Sequence, residues 1–191
     1  GHEWDSQKIN LRPDMSIGSF DMSEIMAKKK NPFLRVSYRA PQLFERDYNG
    51  DGLIDLVAGF NTDFHIYENK GDAYTEDPVK KYNMELISAN ESARDHRRDN
   101  VNLTFTDLDA DGKMDVLANH ISGDITNIKT KTALFWGKSG KLDKDDPDIE
   151  FDTDHPVMGS PLPIDVNKDG RQDLILPTYN MSAWSVGKAL F

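Results

Sequence analysis

Residues 107–115 read Asp-Leu-Asp-Ala-Asp-Gly-Lys-Met-Asp, and the same pattern occurs twice more, at 47–55 and at 165–173. The shared form is Asp-x-Asp/Asn-x-Asp-Gly-x-x-Asp, and the three copies begin 60 and 58 residues apart. Three copies at nearly equal spacing indicate an internal structural repeat rather than coincidence.

The oxygen-bearing positions of this pattern suit a calcium ion. Ca²⁺ takes about six to eight oxygen ligands in a flexible geometry. Side chains at loop positions 1, 3, 5 and 9 can converge on one ion, together with the backbone carbonyl of position 7. Glycine at position 6 permits the sharp turn because it reaches positive φ at little cost. The predicted side-chain ligands are Asp47, Asn49, Asp51 and Asp55, then Asp107, Asp109, Asp111 and Asp115, then Asp165, Asn167, Asp169 and Asp173. The predicted carbonyl ligands are those of Leu53, Lys113 and Arg171.

The residues around each loop exclude an EF-hand. That motif needs a glutamate at position 12 and a helix on either side, whereas position 12 here is Ala58, Ala118 or Leu176. The segments after the loops are short apolar runs typical of buried strands. Each loop is therefore predicted at the tip of a β-hairpin. The alternative is a turn rich in Asp, Asn and Gly that binds no ion, but its clustered carboxylates would repel one another.

Composition and net charge exclude several classes of protein and site. The net charge is −10, with 33 acidic and 23 basic residues, and ten of the acidic residues lie in the three loops. An acidic chain disfavours general nucleic-acid binding. No apolar run approaches the roughly 20 residues that a membrane span needs. The chain has no cysteine, which excludes disulfides and a thiolate zinc site.

The loops and their flanking strands resemble the FG-GAP/VCBS repeats of integrin-type β-propellers. A second shared feature is the segment Phe64-His65-Ile66-Tyr67-Glu68-Asn69-Lys70-Gly71-Asp72, which is similar to the family's aromatic-Asn-x-Gly-Asp segment on the third strand of a blade. Residues 133–140 are a looser copy that lacks the Asn. In this family the calcium loop joins the first and second strands of a four-stranded blade. The resemblance covers 45–191 well and 1–44 poorly.

The resemblance implies an all-β fold of about three four-stranded blades of a β-propeller, with calcium-binding hairpin loops. The implied division of 1–191 is 1–35 as a partial preceding blade plus an insertion, 36–98 and 99–158 as blades, and 159–191 as an incomplete blade. The expected first strands are 36–46, 99–106 and 159–164, the second 54–60, 114–119 and 173–177, the third 63–68, 132–137 and 187–191, and the fourth 83–88 and 148–152.

Propellers have about four to eight blades, so three blades indicate a fragment of a longer chain or one piece of a multi-chain assembly. Other blades or chains would complete the ring. Calcium at the concentration that such loops need is found outside the cytosol. We therefore expect an extracellular, cell-surface or periplasmic protein with three structural Ca²⁺ ions.

The leading functional hypothesis is a non-enzymatic module that binds or scaffolds a protein or glycan. In propellers of this kind, the loops on the face opposite the calcium loops are expected to carry function, here 13–35, 89–98, 119–131 and 178–186. The alternative is a carbohydrate-active enzyme, a lyase of acidic polysaccharide. Its base, cationic and aromatic groups would come from His96, His120, Arg97, Arg98, Tyr179 and Trp184, although no lyase motif is recognisable.

Overall fold

A computed structural model describes residues 9, 11, 14–17, 36–88, 99–124, 127–139 and 142–179. Apart from one short 3₁₀ turn, Gly137–Ser139, the elements of this part of the chain are β-strands. No helix in these ranges has the length and hydropathy needed to span a bilayer. The strands are β1 Asp14–Ile17, β2 Val36–Arg39, β3 Gln42–Arg46, β4 Asp55–Gly59, β5 Asp63–Tyr67, β6 Lys80–Asn83, β7 Asn100–Thr106, β8 Asp115–Asp124, β9 Asn127–Phe135, β10 Ile149–Phe151, β11 Leu162–Ile164 and β12 Asp173–Ile175.

Two four-stranded antiparallel sheets dominate the fold. The first sheet has the order β3-β4-β5-β6 and the second the order β7-β8-β9-β10, so each strand pairs with its neighbour in sequence. A two-stranded sheet of β11 and β12, which we call the third hairpin, follows them. The three acidic loops join β3 to β4, β7 to β8 and β11 to β12. The predicted hairpins and the all-β class are therefore confirmed.

The largest core cluster lies between the first and second sheets. Phe105 of β7 is at its centre, with its ring centroid 5.0 Å from that of Phe44 and 5.0 Å from that of Phe64. Val57 of the first sheet and Val116 of the second are fully buried in the same cluster. Burial of these side chains drives the packing of the two sheets, because apolar area removed from water is the main favourable term in folding.

The second sheet also buries its opposite face. Val116 and Leu117 are consecutive in β8, so their side chains point to opposite sides of the sheet. Leu117 packs with Leu134 and with Leu174 of the third hairpin. The fully buried Asn119 adds a polar link, since its amide donates to the carbonyls of Val157 (3.0 Å) and Gly159 (2.7 Å) on the way to β11. The three acidic loops thus belong to neighbouring units stacked along the chain.

Several strand boundaries differ from those expected from sequence. The segment 36–46 is not one strand, because β2 pairs with β1 and only β3 belongs to the first sheet. The fourth strand of the first sheet is Lys80–Asn83 rather than 83–88. Met84 and Leu86, within the expected segment, are buried in the core beyond the strand's end.

The segment 119–131 is mostly strand rather than a connecting loop. β8 continues to Asp124, and β9 begins at Asn127. The hydrogen-bonded ladder of this hairpin therefore extends beyond the predicted strand ends at 119 and 132. The expected third strand at 187–191 lies outside the described residues.

Candidate metal centre

The first aspartate of each loop holds the loop backbone together. In the second loop, the Asp107 carboxylate accepts hydrogen bonds from the amides of Asp111 (3.1 Å) and Gly112 (2.9 Å). Asp47 accepts from Gly50 and Gly52, and Asp165 accepts from Asp169 and Gly170. Because Asp accepts such local bonds readily in turns, the nine-residue pattern itself encodes the loop shape.

The last aspartate of the loop connects it to the third strand of its sheet. Asp115 is fully buried, and its two carboxylate oxygens accept from the amides of Leu108 and Gly137, both at 2.8 Å. Burial raises its pKa, partly offset by these two bonds, and the Asp109 and Asp107 carboxylates raise it further.

Asp55 has the same arrangement in the first loop. It is fully buried and accepts from the amides of Tyr48 (3.0 Å) and Asn69 (2.8 Å). Its pKa is likewise raised, chiefly by burial. Asp173 is exposed and accepts from Val166 (3.0 Å); the third strand expected beside it lies outside the described residues.

The middle aspartate of each loop is exposed and bonds locally. Asp51 and Asp169 accept from the amides of Leu53 and Arg171, both at 2.8 Å, and from the side-chain amides of Asn49 and Asn167. These bonds hold the pKa of both carboxyls below its usual range, the backbone bond being the larger cause. Asp111 accepts from Lys113 in the same way, at 2.9 Å. The carbonyls of Leu53, Lys113 and Arg171 remain predicted ligands.

Two positions in each loop are left-handed. The glycine at position 6 has φ of 85° at Gly52, 85° at Gly112 and 89° at Gly170, which confirms the predicted turn. Position 4 is left-handed too, including the non-glycine residues Ala110 (60°) and Lys168 (62°). Nothing in the pattern pointed to position 4, because its residue type varies.

Replacing Gly112 with Ala is expected to destabilise the protein by about 1–2 kcal/mol, the cost of a left-handed conformation for an L-residue. The added Cβ would have no heavy atom within 4 Å, so the cost is torsional and not steric. Urea unfolding of both proteins in chelator measures it. The control is Ala110→Gly, which relieves the same kind of strain and is expected to cost nothing. Equal stability of Gly112→Ala and wild type would contradict this view of the turn.

The second loop gathers three carboxylates around one point. Oxygens of Asp107, Asp109 and Asp115 lie within 4.8 Å of one another. The Asp109 Oδ1 atom is buried without a hydrogen-bond partner in the described part of the chain, whereas its Oδ2 lies 2.5 Å from the Lys138 Nζ atom. A buried acceptor without a partner is costly. Hard oxygen donors around such an atom fit Ca²⁺. Asp111, the fourth predicted side-chain ligand, is outside this group.

Sequence reasoning missed two elements of this centre. The backbone amides that hold Asp55 and Asp115 come from the end of the third strand, at Asn69 and Gly137. The other element is Lys138. A signal was present, since a lysine follows the donor residue in both copies (Asn69-Lys70 and Gly137-Lys138).

His120, a candidate catalytic base, lies in the core instead. Its ring is fully buried, Nδ1 accepts from the Ile87 amide at 2.9 Å, and Nε2 is 3.3 Å from a carboxylate oxygen of Asp99. This burial does not support a catalytic role for His120, because both ring nitrogens already have protein partners. Tyr179 is exposed. The other candidates, His96, Arg97, Arg98 and Trp184, lie outside the described residues.

These features define an all-β protein of antiparallel four-stranded sheets with a repeated acidic hairpin loop. Residues 47–118 match the FG-GAP-like repeat family, so the resemblance expected from the sequence is confirmed for this segment. It runs from the first aspartate of the first loop to the second strand of the next sheet. Comparisons with curated proteins and with solved structures gave no match.

Proposed function

We propose that this chain is part of a calcium-stabilised β-propeller that binds or scaffolds a protein or glycan partner without catalysing a reaction. The observation that carries the proposal is the buried Asp109 Oδ1 atom, which lacks a hydrogen-bond partner in the described chain and lies beside the Asp107 and Asp115 carboxylates. A cation at this point would satisfy that oxygen and relieve the repulsion among the three groups.

The donor set favours calcium over transition metals. The predicted ligands are carboxylate, amide and carbonyl oxygens, and no histidine lies in the loops. Such hard donors in a flexible loop suit Ca²⁺, whereas Zn²⁺ and Cu²⁺ favour nitrogen and sulfur. When bound, calcium would supply charge neutralisation and a link across the loop. Three ions would change the net charge from −10 to −4.

The stacking of the sheets supports the propeller. The first and second sheets share one core, the second sheet packs on the third hairpin, and within each sheet every strand pairs with the next in sequence. Successive four-stranded antiparallel sheets of this kind are typical of propeller blades. We assign the first sheet to the blade expected at 36–98, although β2 lies outside that sheet, and the second sheet to the blade at 99–158. We assign 159–191 to an incomplete blade and 1–35 to a partial preceding blade with an insertion. Other blades or chains would close the ring.

A groove between the first two sheets supports the binding role. It has a volume of about 430 Å³ and is lined by the starts of β3 and β7 and by the end of β4, the ends of the sheets opposite the acidic loops. Four of its lining residues have side-chain amides that can hydrogen-bond a peptide or sugar, namely Gln42, Asn61, Asn100 and Asn102.

A calcium requirement would place the protein outside the cytosol, at the cell surface or in a periplasm.

The burial of His120, whose ring nitrogens contact the Ile87 amide and an Asp99 carboxylate, does not support the lyase alternative. We therefore retain the binding module as the single proposed function.

Calcium counting tests the proposal directly. We expect the chelator-treated protein to take up three Ca²⁺ ions, as measured by native mass spectrometry and isothermal titration calorimetry. The control is Asp111→Ala, an exposed ligand position, which is expected to lose one ion while keeping its fold. Absence of calcium uptake by the folded wild-type protein would overturn the proposal.

A further inference from the structure

A lysine from the end of the third strand lies on the second acidic loop. Lys138 follows Gly137 in the 3₁₀ turn after β9, and its Nζ atom is 2.5 Å from Asp109 Oδ2. The same Nζ atom lies 4.6 Å from the centroid of the Trp136 ring. The indole face and the carboxylate therefore hold one ammonium group between them, by a cation–π contact and an ion pair.

The first loop has the equivalent lysine in a different pairing. Asn69 and Gly137 donate to the last aspartates of their loops in the same way, so Lys70 corresponds to Lys138. The Lys70 ammonium pairs with Glu68, which occupies the position of Trp136. Lys70 therefore pairs with the Glu68 carboxylate, which lies outside the first loop. Trp136 has no carboxylate to offer, so Lys138 pairs with Asp109 of the second loop instead.

We infer that Lys138 is a tethered counter-cation of the second loop, which competes with calcium for Asp109 and sets the calcium affinity of that loop. The inference rests on the proposed function. Without the ion, the ammonium neutralises one oxygen of the carboxylate cluster and stabilises the loop. When a divalent cation binds Asp109, the ammonium must move away, because like charges repel at such short range. Loss of the ion pair with Asp109 then opposes binding.

The competition predicts that Lys138→Met tightens one calcium site and weakens the calcium-free fold. We expect about a fivefold lower dissociation constant at the second loop at low salt, the scale of one solvent-accessible ion pair. The melting temperature in chelator should fall by roughly 1–4 °C. The gain in affinity should shrink in 1 M NaCl, where the screening length is only about 3 Å.

Terbium luminescence isolates the second loop. Tb³⁺ is a calcium substitute whose emission is excited through a nearby indole, and Trp136 adjoins this loop through Lys138. The part of the Tb³⁺ emission that is lost in Trp136→Phe comes from the second loop. The Ca²⁺ concentration that displaces Tb³⁺ and removes this emission gives the calcium affinity of that loop. Lys138→Arg keeps the charge and should resemble wild type.

The charge control is Lys144→Met, which removes the same charge from a lysine paired with Asp145, outside the loops. If the second-loop affinity of Lys138→Met rises no more than that of Lys144→Met, or if Lys138→Arg tightens binding equally, the counter-cation role is overturned. If wild type binds neither Ca²⁺ nor Tb³⁺, the proposed function fails first. Calcium binding without the Lys138 effect overturns only this inference.

Discussion

Removing calcium from this protein is expected to lower its melting temperature by roughly 15–30 °C. An ion present at a hundred times its dissociation constant stabilises a fold by about 2.7 kcal/mol. In a chain of this size, each kcal/mol moves the melting temperature by about 2–4 °C. Three ions acting on adjoining hairpins give the full range. The first two loops should contribute most, because Asp55 and Asp115 are buried there and repel the neighbouring loop carboxylates without a cation.

The measurement is a thermal melt in excess chelator compared with one in excess CaCl₂. A chelator already saturated with calcium is the control for any direct effect of the chelator. Magnesium should restore less of the stability, because it demands near-octahedral geometry and gives up its water reluctantly. Identical melting curves with and without calcium would contradict a structural role for the ion.

Replacing Asp115 with Ala is expected to have the second largest effect, because this residue has two roles. It should abolish one calcium site. It should also cost about 1–3 kcal/mol in chelator, since the buried Leu108 amide and the part-buried Gly137 amide both lose their acceptor and a buried amide without a partner costs about that much. Urea unfolding in chelator measures the second role without interference from the first.

Asp111→Ala separates the two roles. Asp111 is exposed, and its bond to the Lys113 amide is local, so this variant should lose a calcium ion yet unfold in chelator almost as wild type does. The comparison is matched, because both substitutions remove one carboxylate from the same loop. If the two variants lose equal stability in chelator, the hydrogen bonds from Leu108 and Gly137 to Asp115 contribute nothing to the free energy of unfolding.

The loops were predictable from sequence because their shape depends on nearby residues. The first aspartate accepts from amides four and five positions later, as in Asp107 with Asp111 and Gly112. Glycine at position 6 supplies the left-handed turn. The apolar runs after the loops, such as 116–118, then mark the second strand of each hairpin. These relations lie within about a dozen residues, so a repeated pattern reveals them.

The predicted strand bounds and the role of His120 were in error where a residue's contacts are distant in sequence, or where strand and non-strand core segments are equally apolar. The segment 36–46 was expected to be one strand, yet Ala40-Pro41 divides it into two strands that pair with different partners, as proline lacks the amide that a ladder needs. Met84 and Leu86 are as apolar as strand residues but fill the core from beyond the strand. His120 could not be told from a surface histidine, because its partners Ile87 and Asp99 precede it by more than 20 residues.

The amino-acid pattern alone determined the repeat, the hairpin loops and their oxygen donors, because each depends on spacing within one loop. Only the tertiary structure decided which donors are buried and what competes for them. Asp115 is enclosed by an amide 22 residues away, and Asp109 meets a lysine 29 residues away. Those contacts form when the third strand joins the sheet and water is excluded from the loop base, and no local spacing encodes that event.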